Sequence, residues 1–179
     1  MFDSPKTIMK RLIFFILLVR IGLLQVHGQS HEYVNNLYRF SVVIPDNWKL
    51  YGQVLNDTIR HRAIVDWGIP PIYSEIEKTE IENSISITAY KKDSIRTVDQ
   101  LIATEYLRLD PTKYSMETDS ATENTRIIYA TLNGLNYKGK SYFVFKNGIG
   151  YVINFMATPG TFDKNLPVFE KLRTSIRLL

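Results

Sequence analysis

The alternation of apolar and polar positions is clearest between residues 141 and 179. Tyr142-Phe143-Val144-Phe145 and Tyr151-Val152-Ile153 flank Asn147-Gly148. Both central residues of a type I′ hairpin turn need φ > 0, which Asn and Gly supply most readily. A two-residue loop sets Lys146 opposite Ile149. That register puts Tyr142, Val144, Ile149, Tyr151, Ile153 and Phe155 on one face, with Phe143, Phe145, Val152 and Met156 on the other. Because both faces are apolar, the pattern predicts a central strand pair in a sheet covered on both sides. Past Pro159-Gly160, residues Phe162, Leu166, Phe169, Leu172 and Ile176 recur at steps of three and four, the apolar stripe of a helix.

Earlier in the chain, residues 29–36 read as a short polar lead. Phe40, Val42 and Ile44 then alternate along a first strand that ends at Pro45-Asp46-Asn47, with Trp48 as a core or rim anchor. Residues 62–67 have strand character that Gly68 and Pro70-Pro71 interrupt, and an acidic stretch follows with Glu75, Glu77, Glu80 and Glu82. Ile85, Ile87 and Ala89 point inward from a strand over 84–90, leaving Ser86 and Thr88 outward. Thr97 with Gln100 makes a capping box before the helical spacing of Val98, Leu101, Ile102, Glu105 and Leu109, and Asp110-Pro111 stops that helix. Residues 125–132 form a further strand, with turns expected at Asn133-Gly134 and Lys138-Gly139.

Strands, a helix, a meander and a closing helix predict an α+β fold, an antiparallel β-sheet with helices packed on both faces. Three motifs point the same way. Tyr38-x-Phe40-Ser41-Val42-x-Ile44-Pro45-x-x-Trp48, Gly150-Tyr151-Val152-Ile153-x-Phe155 and Phe169-x-x-Leu172-x-x-Ser175-Ile176 together resemble the PsbP-like proteins. The resemblance spans most of 37–179 and implies one domain built as an α/β/α sandwich. It also implies an accessory or binding protein, since that family includes the extrinsic photosystem II subunit and bacterial envelope proteins. The motifs determine fold and carry no catalytic residue with them.

Charge changes the picture only at the N-terminus. Lys6, Lys10 and Arg11 precede an apolar run over 12–19, and Val26-His27-Gly28 offers a cleavage site before Gln29, so 1–28 reads as a signal peptide. Met9-Lys10-Arg11 is a more typical opening than Met1-Phe2-Asp3, which leaves the start at Met1 or Met9 open. Arg20 breaks the run well short of the roughly 20 apolar residues that span a bilayer, so no stable membrane span is expected after cleavage. Removing Lys6, Lys10, Arg11, Arg20 and Asp3 leaves 18 basic against 17 acidic residues, without the basic excess of a nucleic-acid binder. The chain has no cysteine, which excludes disulfides, a thiol nucleophile, a zinc-thiolate site and a lipidated cysteine. The expected location is periplasmic or secreted.

The candidate chemistry is sparse. A small envelope hydrolase would have to use His61 with Asp57 or Asp66, yet Arg60 and Arg62 flank that histidine and no nucleophile elbow is present. The four glutamates over 75–82 lack the Gly-centred, Asp-rich spacing of a calcium loop, and Gly148-x-Gly150 lacks the context of a dinucleotide site. No metal, cofactor or catalytic residue is therefore assigned. The leading expectation is a non-enzymatic binding domain with an envelope protein as partner; an apolar-ligand carrier is a further alternative. Trp67, Ile69, Ile72 and Tyr73 around Pro70-Pro71 are the candidate partner-binding loop, because a proline-stiffened segment loses little entropy on binding.

Overall fold

A computed structural model describes residues 29–120, 122–132 and 134–179 of the chain. The signal peptide expected over residues 1–28 therefore lies outside the described residues, as does Asn133 of an expected turn. The elements run β1 (Ser30–Asn35), β2 (Phe40–Pro45), β3 (Lys49–Asp57), β4 (Arg62–Ser74), β5 (Thr79–Tyr90), α1 (Val98–Tyr106), β6 (Tyr114–Thr118), β7 (Thr125–Leu132), β8 (Leu135–Lys146), β9 (Ile149–Ala157), α2 (Pro159–Ser175) and β10 (Arg177–Leu178). They form a seven-stranded sheet in the order β3-β4-β5-β9-β8-β7-β6 and a three-stranded sheet in the order β1-β2-β10. All the pairings are antiparallel.

The β8–β9 hairpin has the register that its turn dictates: Lys146 faces Ile149, and Asn147 and Gly148 sit at φ 52° and 76°. Phe155 is fully buried. Its ring lies 5.3 Å from that of Phe162 and 5.1 Å from that of Phe169, so the apolar stripe of α2 packs on the face that carries Tyr142, Tyr151 and Ile153. The three-stranded sheet packs on the same face. Phe40 meets Tyr151 at 6.3 Å and Tyr33 meets the edge of Trp67 at 5.4 Å, while Tyr151 Oη donates to the Tyr38 carbonyl at 2.9 Å. Most of the expected lead, Ser30–Asn35, is thus a strand paired with β2, and Tyr33 and Asn35 turn inward.

The expected helix layer on both faces is not what the chain forms. The protein is predominantly antiparallel β, with two helices among the described residues. α2 and the small sheet share one face. α1, only nine residues long, packs Leu101 against Tyr90, Phe143 and Val152 at one end of the sheet. The physical reason lies in β5, where every second residue from Ser84 to Thr88 is polar, so the surface continuing the apolar hairpin offers nothing for a helix to bury.

Two further expectations change. β4 does not stop at Gly68 but continues to Ser74, because Pro70 and Pro71 fall in a bulge between the pairs Ile69–Asn83 and Ile72–Ile81, where their missing amides break no ladder bond. Lys138-Gly139 is not a turn. Both residues lie inside β8, paired with Ala157 and Met156.

Candidate functional site

The polar alternation that turned a helix away also makes a site. Strand register lines up Asp66 (β4), Ser86 (β5), Asn154 (β9) and Ser141 (β8) in one row across the face that α2 does not cover. The row on one side is Gly68, Ser84, Met156, Gly139, Ile128 and Met116, and that on the other is Ile64, Thr88, Val152 and Phe143. A polar strip with apolar flanks thus floors a cleft of about 440 Å³. Its walls are Tyr51 at one side, Glu105 from the end of α1 with Arg108 and Leu109 from the turn after it, and Tyr114 and Tyr137 from β6 and β8. This combination of apolar walls with a few convergent polar groups is what small-molecule and peptide sites share.

Local chemistry holds each wall in place. Thr97 caps α1 by accepting from the Gln100 amide at 3.2 Å, while Gln100 Oε1 accepts from the Arg96 amide at 2.7 Å. At the other end of the helix, Glu105 accepts from Arg108 at 2.7 Å and from the Tyr90 hydroxyl, and Arg108 also donates to Tyr90. Burial, then the nearby Glu105 carboxylate, push the Tyr90 phenol up to about 12. Burial opposes the Arg108 charge, but Glu105 and Tyr90 outweigh it and hold that guanidinium protonated. Across the cleft, the Tyr51 ring crosses β4 directly over Gly68, where any side chain would collide with it, and its hydroxyl donates to Glu82. Burial, Glu82 and the charge of Asp66 push that phenol also to about 12. On the floor, Ser141 Oγ donates to Asn154 Oδ1 at 2.7 Å.

Asp66 stands apart. Its Oδ1 is buried and accepts no hydrogen bond, and burial pushes the carboxyl up to about 6 against a smaller downward pull from the Trp67 amide. A carboxyl whose folded pKa exceeds its unfolded value costs stability above pH 6. That cost is relieved as pH falls from about 6 to about 4, where the folded state takes up the proton first. Asp66→Asn is therefore expected to raise stability at pH 8 by about 1 kcal/mol, after discounting for solvent that reaches the cleft, and to add nothing at pH 4. Urea unfolding of both proteins at the two pH values checks this.

The residues singled out from sequence are dispersed. His61 sits at φ 49° in the exposed β3–β4 turn, and among the described residues its side chain makes no hydrogen bond. Asp57 organises that turn instead, accepting from the Ile59 and Arg60 amides and pairing with Arg60 and Arg62 at 3.2 and 3.5 Å. Asp66 belongs to the cleft, so neither aspartate serves the histidine. Of the loop candidates, Trp67 and Ile69 are buried in the core, Ile72 is half-buried and Tyr73 is exposed; the strand runs straight through, so Trp67 and Ile69 are structural. The acidic stretch also disperses. Glu75 pairs with Lys78, Glu77 accepts from Ser74 and Glu82 accepts from Tyr51. Among the described residues there is no cluster of three or more metal-ligating side chains, and no helix is long and apolar enough to cross a membrane.

The cleft floor is not legible in the sequence, because Ser86 and Thr88 read only as the outward residues of their strand. The available signal was Asn154 inside an apolar strand and Ser141 at the head of another.

No protein-family model and no curated protein matches the chain. Among solved structures, it is similar to PA94, a protein of unknown function from Pseudomonas aeruginosa, at TM-score 0.49 and 11% identity over 83% of this chain and 96% of that one. The cyanobacterial PsbP of Synechocystis sp. PCC 6803 gives 0.48 and 12% over 87% and 96%. A protein of Bacteroides thetaiotaomicron VPI-5482 gives 0.47 and 13% over 84% and 49%. Likenesses this weak assign neither a family nor a function.

Proposed function

We propose that this protein is an exported, non-enzymatic binding domain of the bacterial cell envelope that holds its ligand or partner in the cleft on the open face of the seven-stranded sheet. The observation that carries this reading is the row Asp66–Ser86–Asn154–Ser141, polar groups set by strand register on a floor whose flanks are apolar. A rigid sheet fixes such groups better than a loop does, and pre-ordered groups lose little entropy on binding. A binding role is favoured over hydrolysis because a serine nucleophile needs a base within hydrogen-bond reach, whereas Ser141 donates to Asn154. The polar floor likewise disfavours a carrier of purely apolar ligands.

The test compares the mature chain with Ser86→Trp, which fills the cleft from its half-buried floor without entering the α2-side core. Intact mass from envelope fractions is expected to begin at Gln29, and crosslinked complexes formed by the wild type are expected to vanish in the variant while its thermal melt is kept. Complexes that survive in a folded Ser86→Trp protein place the binding surface elsewhere.

A further inference from the structure

We infer that the cleft selects a small organic cation, an ammonium group attached to an apolar body, with Asp66 as its counter-ion. This rests on the cleft being the binding site and adds the chemistry of what it takes.

Charge inside the cleft is unbalanced. Arg108 is the cation among its lining residues, and its charge is already engaged by Glu105 at 2.7 Å. Asp66 and Glu82 remain, and Glu82 receives only the Tyr51 hydroxyl, a neutral donor. Lys49 lies outside the lining, with its Nζ 5.6 Å from the Tyr51 ring centre, and among the described residues it makes no ion pair. The buried Oδ1 of Asp66 has no donor at all. A buried carboxylate oxygen without a partner is costly, and a charge-assisted N–H donor is the group that offsets that cost best.

The surroundings fit the rest of such a molecule. Met156, Ile128 and Met116 lie in the row beside that of Asp66, an apolar track that begins on β9, and Tyr51 gives an aromatic surface next to the carboxylate. Anionic ligands meet two carboxylates inside the cleft, where the lining cation, Arg108, is already paired with Glu105. Neutral ligands leave Asp66 without the charge that would repay its burial.

Isothermal titration with three compounds sharing one apolar body separates the possibilities: benzylamine, benzyl alcohol and phenylacetate. At pH 7.5 benzylamine is expected to bind at least tenfold more tightly than either of the others. Its affinity is expected to fall about tenfold at pH 5.0, where Asp66 holds its proton, and Asp66→Asn is expected to remove both the preference and the pH dependence. The titratable and charged groups that line the cleft with Asp66 are Glu82 on β5, Tyr51 on β3, Glu105 on α1, Arg108 just past it, Tyr114 on β6 and Tyr137 on β8, with Lys49 beside Tyr51 outside the lining. A pH dependence that persists in Asp66→Asn would therefore place the titrating group elsewhere and overturn the assignment. Equal binding of all three compounds, lost in Ser86→Trp, overturns the cation preference while leaving the cleft as the site. Binding of all three that Ser86→Trp leaves unchanged overturns both. Absence of benzylamine binding up to 10 mM overturns the cation preference.

Discussion

Phe155→Asp is expected to abolish the cooperative melt. Phe155 has no exposed surface and sits between the rings of Phe162 and Phe169, at the place where α2 joins the sheet. Removing the ring alone costs about 3–5 kcal/mol, and an uncompensated carboxylate in the same place costs several more. Domains of this kind have about 5–15 kcal/mol in total, so the sum takes up most or all of it. The neighbouring cations do not rescue the variant. Lys140, on the same face in register with Phe155, is already shared between Asp119 and Glu170, and Lys138 lies over the Phe162 ring. Circular dichroism and a thermal scan distinguish the outcomes: Phe155→Leu melts lower but cooperatively, whereas Phe155→Asp gives no transition. A native-like melt for the aspartate variant would mean that this part of the interior is wet.

Trp67→Ala is expected to lower stability by about 3–5 kcal/mol, and the melting temperature by on the order of 10 °C, while Tyr73→Ala changes stability by less than about 0.5 kcal/mol. The two residues lie six positions apart on one strand but in opposite environments. Trp67 is 2% exposed, pairs with Leu50 and Ile85, and takes the Tyr33 ring edge-on, whereas Tyr73 is 47% exposed beyond the proline bulge. Differential scanning calorimetry of the two single variants checks the split. A small effect of Trp67→Ala would restore the view of this segment as a surface loop.

That contrast shows where local pattern stops being informative. Pro70-Pro71 reads as the end of a strand because proline lacks an amide, and it takes the pairing with β5 to reveal a bulge that tolerates both. The elements whose geometry is fixed by near neighbours were legible: the Asn147-Gly148 turn and its register, the Thr97 cap, and the stripe of Phe162, Phe169 and Leu172. So was most of the core, since Tyr38, Phe40, Val42, Ile44, Tyr151, Ile153 and Phe155 come together in one cluster. The cleft was not. Ser86 and Thr88 are ordinary outward residues of β5 until β9 and β8 are laid beside them, and only that long-range pairing puts Asn154 and Ser141 in their row. For the same reason closeness in sequence suggests Asp66 as a partner for His61, although strand direction carries it to the sheet face and leaves His61 in the turn.

The most direct measurement places a photo-crosslinking amino acid at position 86 in the cleft, and separately at positions 61 and 73, in the full-length protein expressed in its own cells. Binding at the cleft predicts a discrete adduct from position 86 that excess benzylamine suppresses, with none from 61 or 73. An adduct from position 61 or 73, with position 86 silent in a folded protein, would contradict the assignment of the sheet-face cleft as the binding site.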